Sequence, residues 1–250
     1  MKLKIINPNT TWSMTNMIGA AAARVARPET QLVTVSPKMG PASIEGHYDE
    51  AFAAIGVLDE VLKGEAEGVD AHIVACFGDP GLLASREVAR GPVIGIAEAA
   101  MKTASFVSTG FSVISTLARS RVILEHLVNV YGMSGKCRSV RASNLAVLDL
   151  ERPDSNARTL ILEECLLALR EDHSDCILLG CAGMADLAAD ISQELGVPVI
   201  DGVTAAVKMA EALVEMKVST SKAGGFATPL PKAYAGAFAR FAPSSDDVNG

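Results

Sequence analysis

Short apolar runs alternate along this chain with longer segments whose apolar residues recur at helical spacing. Residues 2–6 read as a strand, ended by Asn7-Pro8-Asn9. Residues 10–27 then place Met14, Met17, Ile18, Ala21 and Val25 on one helical stripe. Strands are predicted at 31–35, 72–75 and 93–95, with helices at 49–67 and 82–89. A helix at 98–108 follows, and the pattern restarts: strands at 111–116, 138–143, 176–180 and 197–200, and helices at 120–131, 155–171, 185–195 and 203–216. Residues 36–49 are too rich in Gly and Pro for a regular element, and so long a loop in a compact domain points to function. The tail from 224 to 250 is weakly periodic, and residues 244–250 read as disordered.

Strands alternating with helices imply parallel sheets flanked by helices on both faces. The pattern also repeats. His72-Ile73-Val74-Ala75-Cys76-Phe77-Gly78 is matched by Ile177-Leu178-Leu179-Gly180-Cys181-Ala182-Gly183. Gly91-Pro92-Val93-Ile94 is matched by Gly196-Val197-Pro198-Val199-Ile200, and Ala99-Ala100-Met101-Lys102-Thr103-Ala104 by Ala205-Ala206-Val207-Lys208-Met209-Ala210. The copies lie a domain's length apart, too far for a solenoid unit. The fold class predicted is therefore α/β, with two pseudo-symmetric lobes, residues 1–97 plus 210–250 and residues 98–209. In such sheets ligands bind beyond the carboxyl ends of the strands, where the pattern puts both Cys76 and Cys181. An active site in the cleft between the lobes is the consequence.

Composition narrows the partners. The chain has 250 residues and a net charge of −7, which argues against nucleic acid or an anionic membrane. No apolar stretch approaches the ~18 residues of a membrane span. The apolar run at 3–6 is too short for a secretory signal, so a cytoplasmic location is expected. The five cysteines are then read as thiols.

Cys137, Cys165 and Cys176 sit in ordinary strand or helix contexts and read as small hydrophobes. Cys176 and Cys181 lie roughly 17 Å apart along an extended strand at about 3.3 Å per residue, too far for a disulfide. No His-x-x-x-His or Cys-x-x-Cys occurs, so no metal site is expected. Cys76 and Cys181 differ because each ends a strand just before a predicted helix. There the helix dipole should lower the thiol pKa, and the backbone N–H groups can meet an oxyanion. A cysteine nucleophile would need a histidine base, yet His72 precedes its strand, His126 lies in a helix and His173 in a turn. His47, in the Gly-Pro loop, stays open. Two thiols without a histidine fit a cofactor-independent racemase, in which one thiolate removes a proton from a carbon acid and a thiol on the opposite face returns one.

Asn-Pro-Asn-Thr at 7–10, Gly-Pro-Ala-Ser-Ile-Glu at 40–45, Ala-Cys-Phe-Gly-Asp-Pro-Gly at 75–81 and Gly-Cys-Ala-Gly-Met at 180–184 resemble the hydantoin racemase family. That family, within the aspartate/glutamate racemase superfamily, includes the allantoin racemases. The resemblance implies a two-lobed homo-oligomer without metal or organic cofactor, with Cys76 and Cys181 as the acid/base pair. Amino-acid racemases look like Cys-Asn-Thr and Cys-Thr at the two sites. Here Cys-Phe-Gly and Cys-Ala-Gly lack groups to grip a carboxylate, which favours a small neutral ring.

Racemisation of 5-monosubstituted hydantoins is the leading expectation, with allantoin as the alternative ring. Free aspartate or glutamate, or decarboxylation or cis–trans isomerisation of a small diacid, rank lower, because no arginine stands at a predicted strand end. A two-lobed binding protein would need neither thiol. Phe77–Gly78 and Ala182–Gly183 are expected to offer N–H groups to the ring enolate, the duller role for Gly78 and Gly183 being a tight turn. Asn9 and Thr116, at equivalent strand ends, are candidates for the ring amides, against an Asx turn for Asn9. Pro41, Ser43 and Ile44 form a candidate lid, and Asp79 a helix cap.

Overall fold

The computed structural model describes residues 1–152 and 154–243; the expectation of disorder at 244–250 lies outside the described residues. Among the described residues, eight strands and eight α-helices follow one another. The first lobe contains β1 (Lys2–Ile6), α1 (Trp12–Val25), β2 (Gln31–Val35), α2 (His47–Ala66), β3 (Ala71–Val74), α3 (Leu82–Val88) and β4 (Val93–Gly95). Then come α4 (Ile96–Val107), β5 (Phe111–Ser115), α5 (Arg121–Val130), β6 (Cys137–Ala142), α6 (Ala157–Glu171), β7 (Cys176–Leu179), α7 (Ala188–Leu195), β8 (Val199–Asp201) and α8 (Gly202–Glu215). The strands form two parallel four-stranded sheets, ordered β2-β1-β3-β4 and β6-β5-β7-β8. The orders are identical once the second set is matched to the first. This is the α/β two-lobed architecture expected from the sequence repeat.

The inner strands are apolar because both their faces are covered. Every residue of β3, β5 and β7 is buried. Two of the polar exceptions are paired. Lys4, fully buried in β1, meets Glu60 of α2 at 3.1 Å, and the Ser112 hydroxyl in β5 bonds to Asp172 at 3.0 Å and to Ser174 at 2.7 Å.

The helices that close each sheet are exchanged. α4 leaves β4 of the first sheet and packs on β7 and β8, while α8 leaves β8 and packs on β3 and β4. They also pack on each other, and their alanine repeats are the facing surfaces: Ala97, Ala100 and Ala104 share one core with Val203, Ala206 and Ala210. Small side chains let the two backbones approach closely. That core runs without a break from Ile5 and Ile73 of one sheet to Val113 and Leu178 of the other. Behind α8 the chain stays on the first lobe, where Thr220 donates to the Arg90 and Gly91 carbonyls and Lys222 to those of Arg86 and Glu87.

The buried Glu211 of α8 fixes this return. Its Oε1 accepts from the Arg27 backbone N–H at 2.8 Å and from the Thr30 hydroxyl at 2.7 Å, and Oε2 pairs with Lys208 at 2.9 Å. Removing the carboxylate leaves one buried and one part-buried donor without a partner. We expect Glu211→Ala to lower stability by about 2–3 kcal/mol in urea unfolding, against less than about 0.5 kcal/mol for a neutral surface change on the same helix.

Candidate active site

The two repeat cysteines reach one cavity because each sheet releases its strand in the same way. The Ala75 N–H donates to the Ile6 carbonyl, and the Gly180 N–H to the Ile114 carbonyl, both at 2.8 Å. These are matching bonds at the carboxyl ends of β3 and β7, and the next residue in each case is the cysteine. The cavity between the lobes is lined by Cys76 and Cys181, with the β1 and β5 ends, Asn7, Asn9, Ser115 and Thr116, around them. The main-chain exits of the two strands are pseudo-symmetric, but the segments beyond the cysteines differ. Cys76 leads into a turn and then α3, whereas residues 182–187 after Cys181 form a 3-10 helix ahead of α7.

The turn after Cys76 overturns the expectation of a dipole-acidified thiol there. Enclosure by protein pushes the Cys76 thiol well above its ordinary value. The Gly78 N–H, aimed at the sulfur, pulls the other way and is outweighed. Negative charge on Cys181, Glu50 or Asp79 raises it further. The helix start at Leu82 is too far along the chain to help, since dipole effects fade beyond the first turn. Cys165 and Cys176 are buried elsewhere and Cys137 half-buried, and desolvation pushes Cys137, Cys165 and Cys176 up to about 11, about 12 and about 12.

Asn9, Ile44, Phe77, Gly78, Thr116 and Ala182 all line the same cavity as the two thiols. Gly183, Pro41 and Ser43 are not among its lining residues. The Pro41 carbonyl is held by the Thr10 N–H at 2.9 Å and that of Ala42 by the Thr11 hydroxyl at 2.7 Å, so this part of the loop lies along the first lobe. The span across the cleft comes later, at Glu45. Its carboxylate accepts from the Val147 N–H at 3.0 Å and its backbone carbonyl from the Ser120 hydroxyl at 3.2 Å, both in the second lobe. The Asn9 side-chain oxygen is used locally, accepting from the Thr11 N–H at 2.9 Å and from Asn7 Nδ2 at 2.8 Å, while its Nδ2 lies 3.3 Å from Met14 Sδ. His47 is exposed, with Nδ1 3.3 Å from Glu50 Oε2. His72 is buried against Glu65 at 2.9 Å, on the α2 side of the sheet.

Two acidic residues escape a reading of the sequence alone. Glu45 and Glu50 both line the cavity. Glu50 stands in the first turn of α2, where an acidic residue is usually explained by the helix dipole alone, so its position along the chain gives no sign of a second role. The signal is Gly78. Its φ is not positive, so a turn does not demand glycine there. A Cβ at 78 would instead come within 2.5 Å of Glu50 Oε1. Gly183 has no comparable constraint: a Cβ there would meet Leu150 Cδ1 at 3.3 Å and Met14 Cε at 3.6 Å.

Asp79 is a helix cap, but of α4 and not of the helix that follows it in sequence. Its carboxylate accepts from the Ala97 N–H at 3.1 Å, the Glu98 N–H at 3.0 Å and the Tyr131 hydroxyl at 2.7 Å. Gly95 leaves room for it, since a Cβ there would collide with the carboxylate. The backbone of Asp79 is left-handed, with φ 46°, and its N–H returns to the Cys76 carbonyl at 2.9 Å. One residue thus closes the turn that carries Cys76 and anchors it to the helix crossing to the other lobe.

A scan of family models matches residues 3–210 to the one described as Asp/Glu/Hydantoin racemase. The chain belongs to this family. It is an isomerase, a racemase. A hydantoin racemase from Pseudomonas sp. (strain NS671) is 50% identical over 241 residues, covering 96% of this chain and 97% of that one. A hydantoin racemase from Rhizobium meliloti is 51% identical over 236 residues, covering 94% and 98%. Among solved structures, an allantoin racemase from Klebsiella pneumoniae superimposes with a TM-score of 0.95 at 52% identity, covering 98% of this chain and all of that one. No helix among the described residues is long and apolar enough to cross a membrane.

Burial pushes the Asp79 carboxyl up to about 7, with its three donors opposing. A raised carboxyl contributes stability that is full below the unfolded value near 4 and is lost as pH rises through about 7. Asn at 79 cannot replace both acceptor oxygens. Asp79→Asn is expected to cost about 1–2 kcal/mol at pH 4, with the gap to the parent narrowing by pH 8, as read by urea unfolding at both pH values. A gap that widens with pH would show instead that the ionised form is the favoured one.

Proposed function

We propose that this racemase inverts C5 of 5-monosubstituted hydantoins, with Cys76 and Cys181 as the acid/base pair. One sulfur, as thiolate, takes the C5 proton and becomes a thiol. The charge left behind spreads onto the ring carbonyl oxygen, and the thiol on the other face gives its proton to C5 and becomes the thiolate. The proton balance closes without a cofactor. The observation that carries the reading is that both thiols line one cavity and that charge on Cys181 raises the cost of charge on Cys76. Such a pair holds one negative charge between two sulfurs, one base and one acid at a time. A raised thiol pKa lowers the thiolate fraction but makes each thiolate a stronger base, as a weak carbon acid requires.

The cavity wall supports a neutral ring as substrate. No Lys, Arg or His is among the residues lining it, whereas Glu45 and Glu50 are. A free amino acid or a diacid would place its carboxylate against those glutamates without a cation to meet it. A second reading is allantoin, a hydantoin with a ureido group at C5, favoured by the likeness to the Klebsiella enzyme. The five cysteines, all among the described residues, are not joined in disulfides, which supports a reducing, cytoplasmic setting. The exposed Tyr48 and Phe52, with ring centroids 5.1 Å apart on α2, support self-association into a homo-oligomer.

Loss of optical rotation should be followed for L- and D-5-benzylhydantoin, a 5-alkylhydantoin, allantoin and L-glutamate. We expect hydantoin turnover, none of glutamate, and a fall of about 10²–10⁴-fold for Cys76→Ser and for Cys181→Ser. Allantoin turnover far above that of the hydantoins would move the assignment to the second reading. Unchanged racemisation by both variants would remove the two-thiol mechanism.

A further inference from the structure

A hydantoin ring offers two N–H donors as well as two carbonyl acceptors, so a pocket that recognises it needs acceptors too. Most of the polar groups around the cavity are already engaged. The Asn7 and Asn9 oxygens accept within the Asn7–Thr11 turn, Glu45 Oε1 accepts from the Val147 N–H on the far side of the cleft, and the Ser120 hydroxyl donates to the Glu45 carbonyl. Glu50 differs. Its Oε2 lies 3.3 Å from His47 Nδ1, but Oε1 accepts no hydrogen bond from any described residue and is turned onto the backbone of Gly78, two residues from Cys76. Burial disfavours its ionisation most of all, His47 favours its charge, Asp49 opposes it, and His126 adds a weaker favourable contribution.

We propose that Glu50 is a specificity-determining residue, whose Oε1 accepts one ring N–H of the substrate and whose charge turns away carboxylate-bearing relatives of it. The inference deepens the hydantoin reading above and rests on it. Gly78 then has a double purpose: its N–H faces the Cys76 sulfur and its missing side chain admits the Glu50 carboxylate. A cyclic substrate is held with its N–H on Glu50 and its acidic carbon between the thiols. The ring-opened N-carbamoyl amino acid carries a carboxylate instead, which Glu50 repels. The pocket thereby separates the ring from its hydrolysis product, the compound a ring-opening hydrolase would make from it.

The test compares 5-benzylhydantoin with its N1-methyl and N3-methyl derivatives in the parent, Glu50→Ala and Glu50→Gln, with folding checked by circular dichroism. In the parent, methylating the nitrogen that faces Glu50 is expected to lower kcat/KM by about 10–100-fold. In Glu50→Ala that penalty should shrink to below about threefold. Equal penalties in parent and Glu50→Ala would overturn the proposal. Inhibition by N-carbamoyl-phenylalanine should tighten about tenfold in the isosteric Glu50→Gln, and unchanged inhibition would remove the charge-exclusion claim even if the alanine variant does not fold. A parent that leaves 5-benzylhydantoin itself untouched would instead reject the hydantoin reading, a separate outcome.

Discussion

Placing two ionisable sulfurs in one cavity constrains everything around them. Enclosure raises the cost of any thiolate, and a charge on one sulfur raises the cost on the other. Two charges on the pair are therefore disfavoured, and the surroundings must neither pair a single charge away nor flood it with water. The Gly78 N–H offers partial relief to Cys76, and among the described residues no lysine, arginine or histidine lines the cavity to quench it. A fold built for this constraint has to bring two strand ends together from opposite sides and hold them rigidly.

The exchanged helices do this. Each sheet ends in a helix that packs on the other sheet, so neither lobe completes its core alone, and the apolar core passes through both. Asp79 ties the Cys76 turn to the start of α4, and Glu211 ties α8 back to the loop after α1. Both carboxylates are buried, and both are satisfied by backbone N–H and hydroxyl donors. The Glu45 bonds to Val147 and Ser120 bridge the cleft. The thiols are thus positioned by main-chain geometry at two strand ends, not by mobile side chains.

Much of this is legible in the chain. The repeat of a strand, a cysteine and a glycine yields the lobes and places Cys76 and Cys181 together, because parallel strands expose equivalent carboxyl ends. Alanine-rich echoes at 99–104 and 205–210 mark the helices that cross between sheets, although not that they touch. Less legible are features that depend on distance across the fold. The spacing suggests acidified thiols; desolvation, which is not visible in a sequence, reverses that for Cys76. Asp79 reads as a local cap, yet it caps a helix beyond the next strand. Glu50 looks like an ordinary first-turn acid, and only the missing Cβ of Gly78 betrays its direction. Pro41 and Ser43 sit in a loop of the right kind, but the segment that spans the cleft begins at Ile44 and Glu45, where Glu45 has partners to reach.

In the proposed mechanism different sulfurs act on the two faces of C5, one taking the proton and the other returning one. Racemisation of one pure enantiomer of 5-benzylhydantoin in D2O, sampled at low conversion and resolved by chiral chromatography with mass detection, reads this directly. The product enantiomer should carry deuterium at C5 from the first turnover, while recovered starting enantiomer keeps its protium, because the returning proton comes from the opposite sulfur, already exchanged with solvent. Deuterium entering the recovered starting enantiomer as fast as racemisation proceeds would mean that a single base serves both faces, and would contradict it.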